Sequence, residues 1–294
     1  MLTRVLATEL PISVVIATLG GDALSNIVER LNSGQKVPAE ILICIPEAYV
    51  EYVAHVAIIN NVNVITTACK GQVAQRAIGL KAAKCDYVLQ CDDDVILSAN
   101  TLNVLFNFLL VKGRRNVVAP FFKIYPDGRD ATRYSGGLLD FFKDCYFTLI
   151  CGAAFGRKRF GRIASSGIGF GVLGNDMATG AVESEWLPGG VALCHRSDLI
   201  TDNYYPFSGK AFSEDLIHSL LWRNQGCRLW TLLDESAMVD VTKESFSWEG
   251  IIGRYRAHSY VAKLKGASAW RTRLWFVVYC LRNSQKILVE NFWK

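Results

Sequence analysis

KGQVAQRAIGLKAAKCDYVLQCDDDV, residues 70–95, decides how this chain folds. GQVAQRAIGLKAAK reads as a helix and DYVLQ as a short apolar strand, which stops at three consecutive aspartates, Asp92, Asp93 and Asp94. Like charges at adjacent positions repel one another, so the cluster implies something positive in front of it.

The same alternation runs outward on both sides. Upstream, ISVVIA (12–17) is a strand, and Leu24, Ile27, Val28 and Leu31 follow at the i, i+3, i+4, i+7 spacing of one helix face. EILICI (40–45) and VNVIT (62–66) are further strands, with AYVEYVAHVAII between them as a short helix. Downstream, Ser98 is placed to cap a helix that carries Leu102, Leu105, Phe106 and Leu109 and ends near Gly113, after which NVVAP returns as a strand. Strands apolar throughout, alternating with helices, predict an α/β fold with a Rossmann-like, mostly parallel sheet covered by helices on both faces. Ligands of such sheets bind beyond the carboxyl ends of the strands, and the aspartates occupy one of those ends.

From 121 to 185 the pattern dissolves into glycines and aromatics around the basic cluster GRKRFGR (156–162), predicting a long excursion on the substrate side. GGVALCH (189–195) restores a strand. SEDLIHSLLWRNQG (213–226) is a helix with Ile217, Leu220 and Leu221 inward and Gly226 as its stop. The expected division is a main domain over 1–245 and a basic, aromatic helical segment over 246–294 as a C-terminal appendage.

Composition bounds the function. With 294 residues, 51% apolar and 20% charged, the chain is globular and disorder is excluded. Nine cysteines are scattered without a CxxC pair, which suits reduced thiols of a cytoplasmic protein better than a disulfide framework or a zinc site. MLTRVLATELPISVVIATLGG invites a signal-peptide reading, but Glu9 and Pro11 interrupt it and ISVVIA serves better as a core strand. The longest late apolar run, LWFVVYCL (274–281), falls short of the roughly 18 to 20 residues of a membrane span. Residues 251–294 carry nine Lys/Arg and one Glu, a net of +8 in a chain of net +5. Trp270, Trp275, Phe276, Tyr279, Phe292 and Trp293 are interleaved with them. Two readings follow: docking on an anionic membrane surface, or a helical pair packed on the domain with a solvated basic face. Nucleic acid is not an expected partner.

Carboxylates converging at a strand end make a site for Mg²⁺ or Mn²⁺, because oxygen ligands suit hard cations and the ion relieves their repulsion. On an extended chain Asp92 and Asp94 share a direction while Asp93 points away. A cation of this kind keeps few protein ligands and takes the rest from water and phosphates, so a diphosphate is its natural companion. The alternative is an acidic turn capping the next helix. Glu214 and Asp215 open the later helix, where the dipole favours acids or where one of them serves as a general base. Of the four histidines, His218 lies one turn after Asp215 on the same face, where it could orient that carboxylate. Arg157, Lys158, Arg159 and Arg162 are candidate phosphate contacts, or else a solvated loop.

PISVVIATLGG, KGQVAQRAIGLKAAKCDYVLQCDDDV, WLPGGVALCHRSDLI and FSEDLIHSLLWRNQG, in this order and spacing, resemble the family 2 glycosyltransferases, inverting enzymes of the GT-A fold. The resemblance implies a nucleotide-diphosphate sugar as donor and a saccharide or lipid-linked acceptor. It aligns Asp92, Asp93 and Asp94 with the Asp-x-Asp element, with Asp94 on the metal, Asp92 toward the nucleoside and also near the metal, and Asp93 on the donor side. Thr18 matches a residue near the base. Gly71, Arg76 and Gly79 match the segment under the nucleotide, with Ala77 where asparagine is frequent. Gly189 and Gly190 match the turn by donor and acceptor sugars, Asp215 matches the catalytic base with Glu214 beside it, and His258 stands where some enzymes of this fold add a late histidine as a third metal ligand. The second strand departs from the pattern: it ends in Ile45 and Pro46, with Glu47 beyond, where an aspartate often contacts the base.

The expected role is metal-dependent transfer in bacterial surface polysaccharide synthesis, by a cytoplasmic protein peripheral to the inner membrane face. Two other readings remain beside it. One is a catalytically inactive scaffold of a polysaccharide assembly complex. The other is a sugar nucleotidyltransferase, against which ATLGGDALSN lacks a basic residue.

Overall fold

The computed structural model describes residues 8–174, 180–239, 246–267 and 269–292. Part of the expected basic tail, Trp293 and Lys294, lies outside the described residues.

In chain order the elements are β1 (Thr8–Ala17), α1 (Asp22–Asn32), β2 (Lys36–Pro46), α2 (Ala54–Ala57), β3 (Val62–Thr67), α3 (Gln72–Ala82), β4 (Tyr87–Asp92), α4 (Thr101–Lys112) and β5 (Asn116–Ile124). Then come β6 (Arg129–Asp130), α5 (Leu138–Tyr146), β7 (Ala181–Ser184), β8 (Val191–His195), α6 (Glu214–Asn224), β9 (Arg228–Val239), α7 (Trp248–Leu264), α8 (Trp270–Arg282) and α9 (Ser284–Phe292). One sheet runs β3-β2-β1-β4-β8-β5-β9-β7, with β6 paired to β5. β1, β2, β3 and β4 are mutually parallel, β8 runs antiparallel between β4 and β5, and β9 is parallel to β5.

Strand alternation divides the core between the two faces. Val14, Ile16, Ile41 and Ile43 meet Leu24 and Ile27 of α1 and Leu105 and Leu109 of α4 on one side. Val15, Leu42 and Cys44 meet Leu80 of α3 on the other, and Ala192, Cys194 and Leu229 meet Trp222 next to them. Each of the valines, leucines and isoleucines among them contributes about 1.5–3 kcal/mol by leaving water. α3 lies unusually close to the sheet. A Cβ on Gly79 would come within 2.4 Å of Cys44 Sγ and 2.5 Å of Val15 Cγ1, so only glycine lets the helix settle there.

Several expectations change. Residues 47–53 form a 3₁₀ turn leading into the single turn α2, rather than a regular helix. Ser98 is not the cap of α4: the helix begins at Thr101 after Asn100, and the Ser98 hydroxyl donates to Glu235 instead. The excursion starts inside β5 and contributes β6, α5 and the edge strand β7, which pairs with β9. Strand β9, twelve residues long, has no counterpart in the sequence reading. Of the last three helices, α7 packs Val261 on Leu216, Ile217 and Leu220, α8 packs Trp275 on Cys151 and Ala164, and α9 packs Ile287 on Phe246 and Ile251. Among the described residues no helix is long and apolar enough to cross a membrane. The cysteines are free thiols.

Candidate active site

The strand end, the glycine turn and the start of α6 meet at one place. β4 ends at Asp92, whose backbone N–H donates to the Gly190 carbonyl at 2.8 Å, because β8 begins directly across from it. Gly189 is packed against the opening of α6: a Cβ there would stand 2.5 Å from Glu214 Oε1 and 3.2 Å from Asp215 Cβ. The residue before Glu214, Ser213, sits at φ +51° in the left-handed region, a conformation that costs a non-glycine residue about 1 kcal/mol or more.

Arg76 joins the two acidic points. Reaching down from α3, with its side chain 1% exposed, it places Nη2 2.7 Å from Asp92 Oδ1 and Nη1 2.9 Å from Glu214 Oε1. Gln72 Nε2 donates to the same Asp92 oxygen at 2.9 Å, and the Tyr204 hydroxyl donates to Glu214 Oε2 at 2.7 Å. Burial alone would lower the Arg76 pKa, but Glu214 and Asp92 outweigh it and the guanidinium stays charged. Both Nη groups face carboxylates, so Arg76 holds the site together from beneath.

Asp215 has no such cation. Its Oδ1 accepts the Leu216 N–H at 2.9 Å, and no side chain donates to it among the described residues. Burial first, and the Glu214 charge second, push its carboxyl up to about 7. Burial likewise pushes Asp92 up to about 6, against the pull of Arg76 and with added push from Glu214 and Asp94. One guanidinium thus stands among more carboxylates than it can neutralise, and such a cluster takes up protons or a cation.

Asp93 and Asp94 lie in a turn rather than on extended strand, so alternation does not set their directions. Asp93 accepts a short hydrogen bond from the Thr18 hydroxyl, which in turn accepts the Gly20 N–H at 2.9 Å. Asp94 is exposed and carries no hydrogen bond or ion pair among the described residues. No group of three or more metal-ligating side chains occurs among the described residues. Asp94 and the Asp92 oxygen left free by Arg76 and Gln72 could hold a hard cation, but they form no complete cage. This set fits an Mg²⁺-type ion that takes its other ligands from water and phosphates.

A cleft of about 680 Å³ opens at the carboxyl end of β1, lined by Thr18, Gly20, Lys70, Gln72, Asp93 and Lys210 among others. Lys210 also lines a second cleft of about 610 Å³ beside Tyr205, Phe207, Phe212 and Arg256. Lys70, Gln72, Tyr204 and Lys210 are absent from the sequence reading. Lys70 and Gln72 flank Gly71 in the deciding stretch, where a ligand under the strand ends was already expected. Nothing local marks Tyr204, which meets Glu214 only through the fold.

Other candidates fall elsewhere. His218 is buried with its ring 3.6 Å from that of Trp222 and 4.7 Å from that of Tyr204, and neither ring nitrogen has a hydrogen-bond partner. Burial drives its pKa well below the ordinary value, so it is a neutral packing ring. His258 Nδ1 lies 2.9 Å from the Gly167 carbonyl, and its ring packs edge-on to Trp275, away from the aspartates. Arg159 is buried and ion-paired with Asp144, which removes it from the phosphate candidates. Arg157, Lys158 and Arg162 line a separate hollow with Glu183 and Glu185. Glu47 opens the 3₁₀ turn after β2 and does not line the cleft.

A model of the glycosyl transferase family 2 matches residues 46–164, a span that holds Arg76 and the three aspartates. No curated protein sequence matches the chain. Among solved structures, GalNAc-T7 with UDP, GalNAc and Mn²⁺ superposes with a TM-score of 0.57 at 14% identity, covering 97% of this chain and 58% of its own. S. aureus TarS 1-349 superposes with a TM-score of 0.53 at 15% identity, covering 95% of this chain and 74% of its own. The chain therefore spans a little over half the length of GalNAc-T7, and at such identities the likeness is one of fold. The family 2 match thus takes in the acidic strand end, and the sheet around it has the GT-A-like fold of these two structures.

Proposed function

We propose that the chain moves a sugar, with inversion, from a nucleotide-diphosphate sugar to a hydroxyl of a saccharide or lipid-linked acceptor, using Asp215 as general base. The observation that carries this reading is Arg76: it binds Asp92 and Glu214 together and leaves Asp215 beside them without a cation.

The donor lies along the cleft between β1 and α3. Thr18 and Asp93 face its nucleoside, and Lys70 and Lys210 face its diphosphate. Asp94 and Asp92 would hold Mg²⁺ or Mn²⁺, which when bound offsets the negative charge that grows on the leaving diphosphate. Gly189 and Gly190 leave room for the sugar between the diphosphate and Asp215. Asp215 accepts the proton of the acceptor hydroxyl, whose oxygen forms the new bond to the anomeric carbon as the bond to the diphosphate breaks on the opposite face. A carboxyl raised to about 7 is a far better proton acceptor than an ordinary aspartate and is still half ionised near neutral pH.

Tyr205, Phe207 and Phe212 give the second cleft an aromatic lining of the kind that sugar rings pack on, and we assign the acceptor to it. The expected setting is bacterial surface polysaccharide synthesis at the cytoplasmic membrane face, supported by the charge of the 251–294 segment.

A thermal-shift screen of nucleotide sugars with and without Mn²⁺, in wild type and Asp94→Ala, tests the site. A shift that needs nucleotide, metal and Asp94 together is expected. No shift with any nucleotide sugar would favour the inactive-scaffold alternative.

A further inference from the structure

Helix α5 faces the wrong way for water. Its two acidic residues point inward, Asp140 at 5% exposure and Asp144 at 1%, while Leu138, Leu139 and Phe142 stand 61–77% exposed and Phe141 50%. The carboxylates fix this orientation. Asp140 accepts the Ser135 and Gly136 N–H groups and the Ser135 hydroxyl, and Asp144 accepts the Tyr134 hydroxyl and pairs with Arg159. An amphipathic helix on a water-facing surface has the opposite polarity.

The patch continues onto α8. Trp270, Leu274, Val277 and Leu281 recur at i, i+4, i+7 and i+11, all exposed, opposite the buried Thr272 and Trp275. Arg271 links the two surfaces. Its Nη1 donates to the carbonyls of Thr148 and Leu149 at 3.2 and 2.6 Å, and its guanidinium lies 4.6 Å from the Trp270 ring. These contacts hold the Leu149 backbone to α8 beside Trp270, and the Leu149 side chain is itself exposed. Lys143, which also pairs with Asp140, and Arg273 and Arg282 are exposed cations on the helices that carry these side chains, and Lys286 follows on α9.

We infer that the outward faces of α5 and α8 form a docking surface for an anionic lipid bilayer, with Leu138, Leu139, Phe142 and Trp270 entering the interfacial layer and the cations meeting headgroups. Charge selects this occupant. The exposed cations beside this surface, Arg273 and Arg282 on α8 and Lys286 on α9, would oppose one another if two copies met face to face, whereas anionic headgroups neutralise them. The surface stands apart from the donor cleft, so its test requires no activity.

The experiment is flotation of the full chain with vesicles of phosphatidylcholine alone or doped with phosphatidylglycerol. Binding is expected only to the doped vesicles, weakening with salt, and brominated lipid is expected to quench wild-type tryptophan emission more than that of Trp270→Phe. Leu139→Ser/Phe142→Ser is expected to lower the partition coefficient at least about tenfold, with unchanged circular dichroism because both side chains are exposed. Arg273→Glu/Arg282→Glu tests the cations and should lower it as well. The proposal is overturned if the wild type stays in solution with doped vesicles, or if both double variants float as the wild type does. A wild-type dimer that the Leu139/Phe142 variant dissociates, without vesicle binding, would equally overturn it and make the surface a self-interface.

Discussion

Two buried arginines in this molecule keep nearly the same company and do different things. Arg76 binds Glu214, which also accepts the Tyr204 hydroxyl; Arg159 binds Asp144, which also accepts the Tyr134 hydroxyl. Around Arg159 the charges balance, one guanidinium to one carboxylate, and the group pins α5. Around Arg76 they do not, since Asp92 is bound as well and Asp215 lies next to Glu214 without a cation. A buried arginine–carboxylate–tyrosine group is thus not itself a sign of catalysis. The sign is the excess carboxylate at its edge.

The largest way to break the comparison is to neutralise one carboxylate at each place. Asp215→Asn should lower kcat by about 10⁴-fold while donor binding persists, whereas Asp144→Asn should leave transfer per folded molecule unchanged; steady-state kinetics with donor titration reads both. Equal losses would remove the distinction.

Removing the arginines comes next. Arg159→Met strands one buried carboxylate and Arg76→Met strands two, so urea unfolding should show losses of about 3–5 kcal/mol for the first and no less for the second. Only Arg76→Met should also abolish transfer in the fraction that remains folded. A smaller effect, about 1–3 kcal/mol, is expected for Gly189→Ala, whose methyl group must displace Glu214 Oε1; here kcat should fall more than stability, as kinetics and unfolding together would show.

The smallest effect is a pH trend in stability. The folded-state pKa of Asp215 is raised, so the folded protein binds a proton that the unfolded chain has already released, and stability falls as pH climbs from about 4 to about 7. Asp215→Asn should flatten that slope. The variant should gain stability on wild type at pH 8 relative to pH 4 in metal-free unfolding.

The same contrast explains what the sequence made legible. β1, α1, β2 and β4 could be drawn from periodicity, because the inner lengths of these strands are buried on both faces and α1 shows one apolar stripe. α5 could not, because its acids face inward and its leucines outward, so hydropathy describes it backwards. β9 escaped because its tail, LDESAMV, carries Asp234 and Glu235 and breaks an apolar run that began with LWTLL. In the site, Asp92 and Asp215 stood out as carboxylates at the ends of patterned elements. The bond between their neighbourhoods did not: Arg76 and Glu214 are 138 residues apart, and no local pattern reports a contact made only after the sheet closes. Ser98 looked like a cap by type alone, and the partner that claimed its hydroxyl, Glu235, lies on β9.

The pH dependence of kcat/KM for sugar transfer tests the central claim most directly, measured from about pH 5 to 9 with metal saturating. The account predicts that the rate rises with pH through an ionisation above the ordinary aspartate range, as Asp215 gives up its proton, and that the residual activity of Asp215→Asn lacks this ionisation. A wild-type profile flat across that range, or the same ionisation surviving in Asp215→Asn, would contradict it.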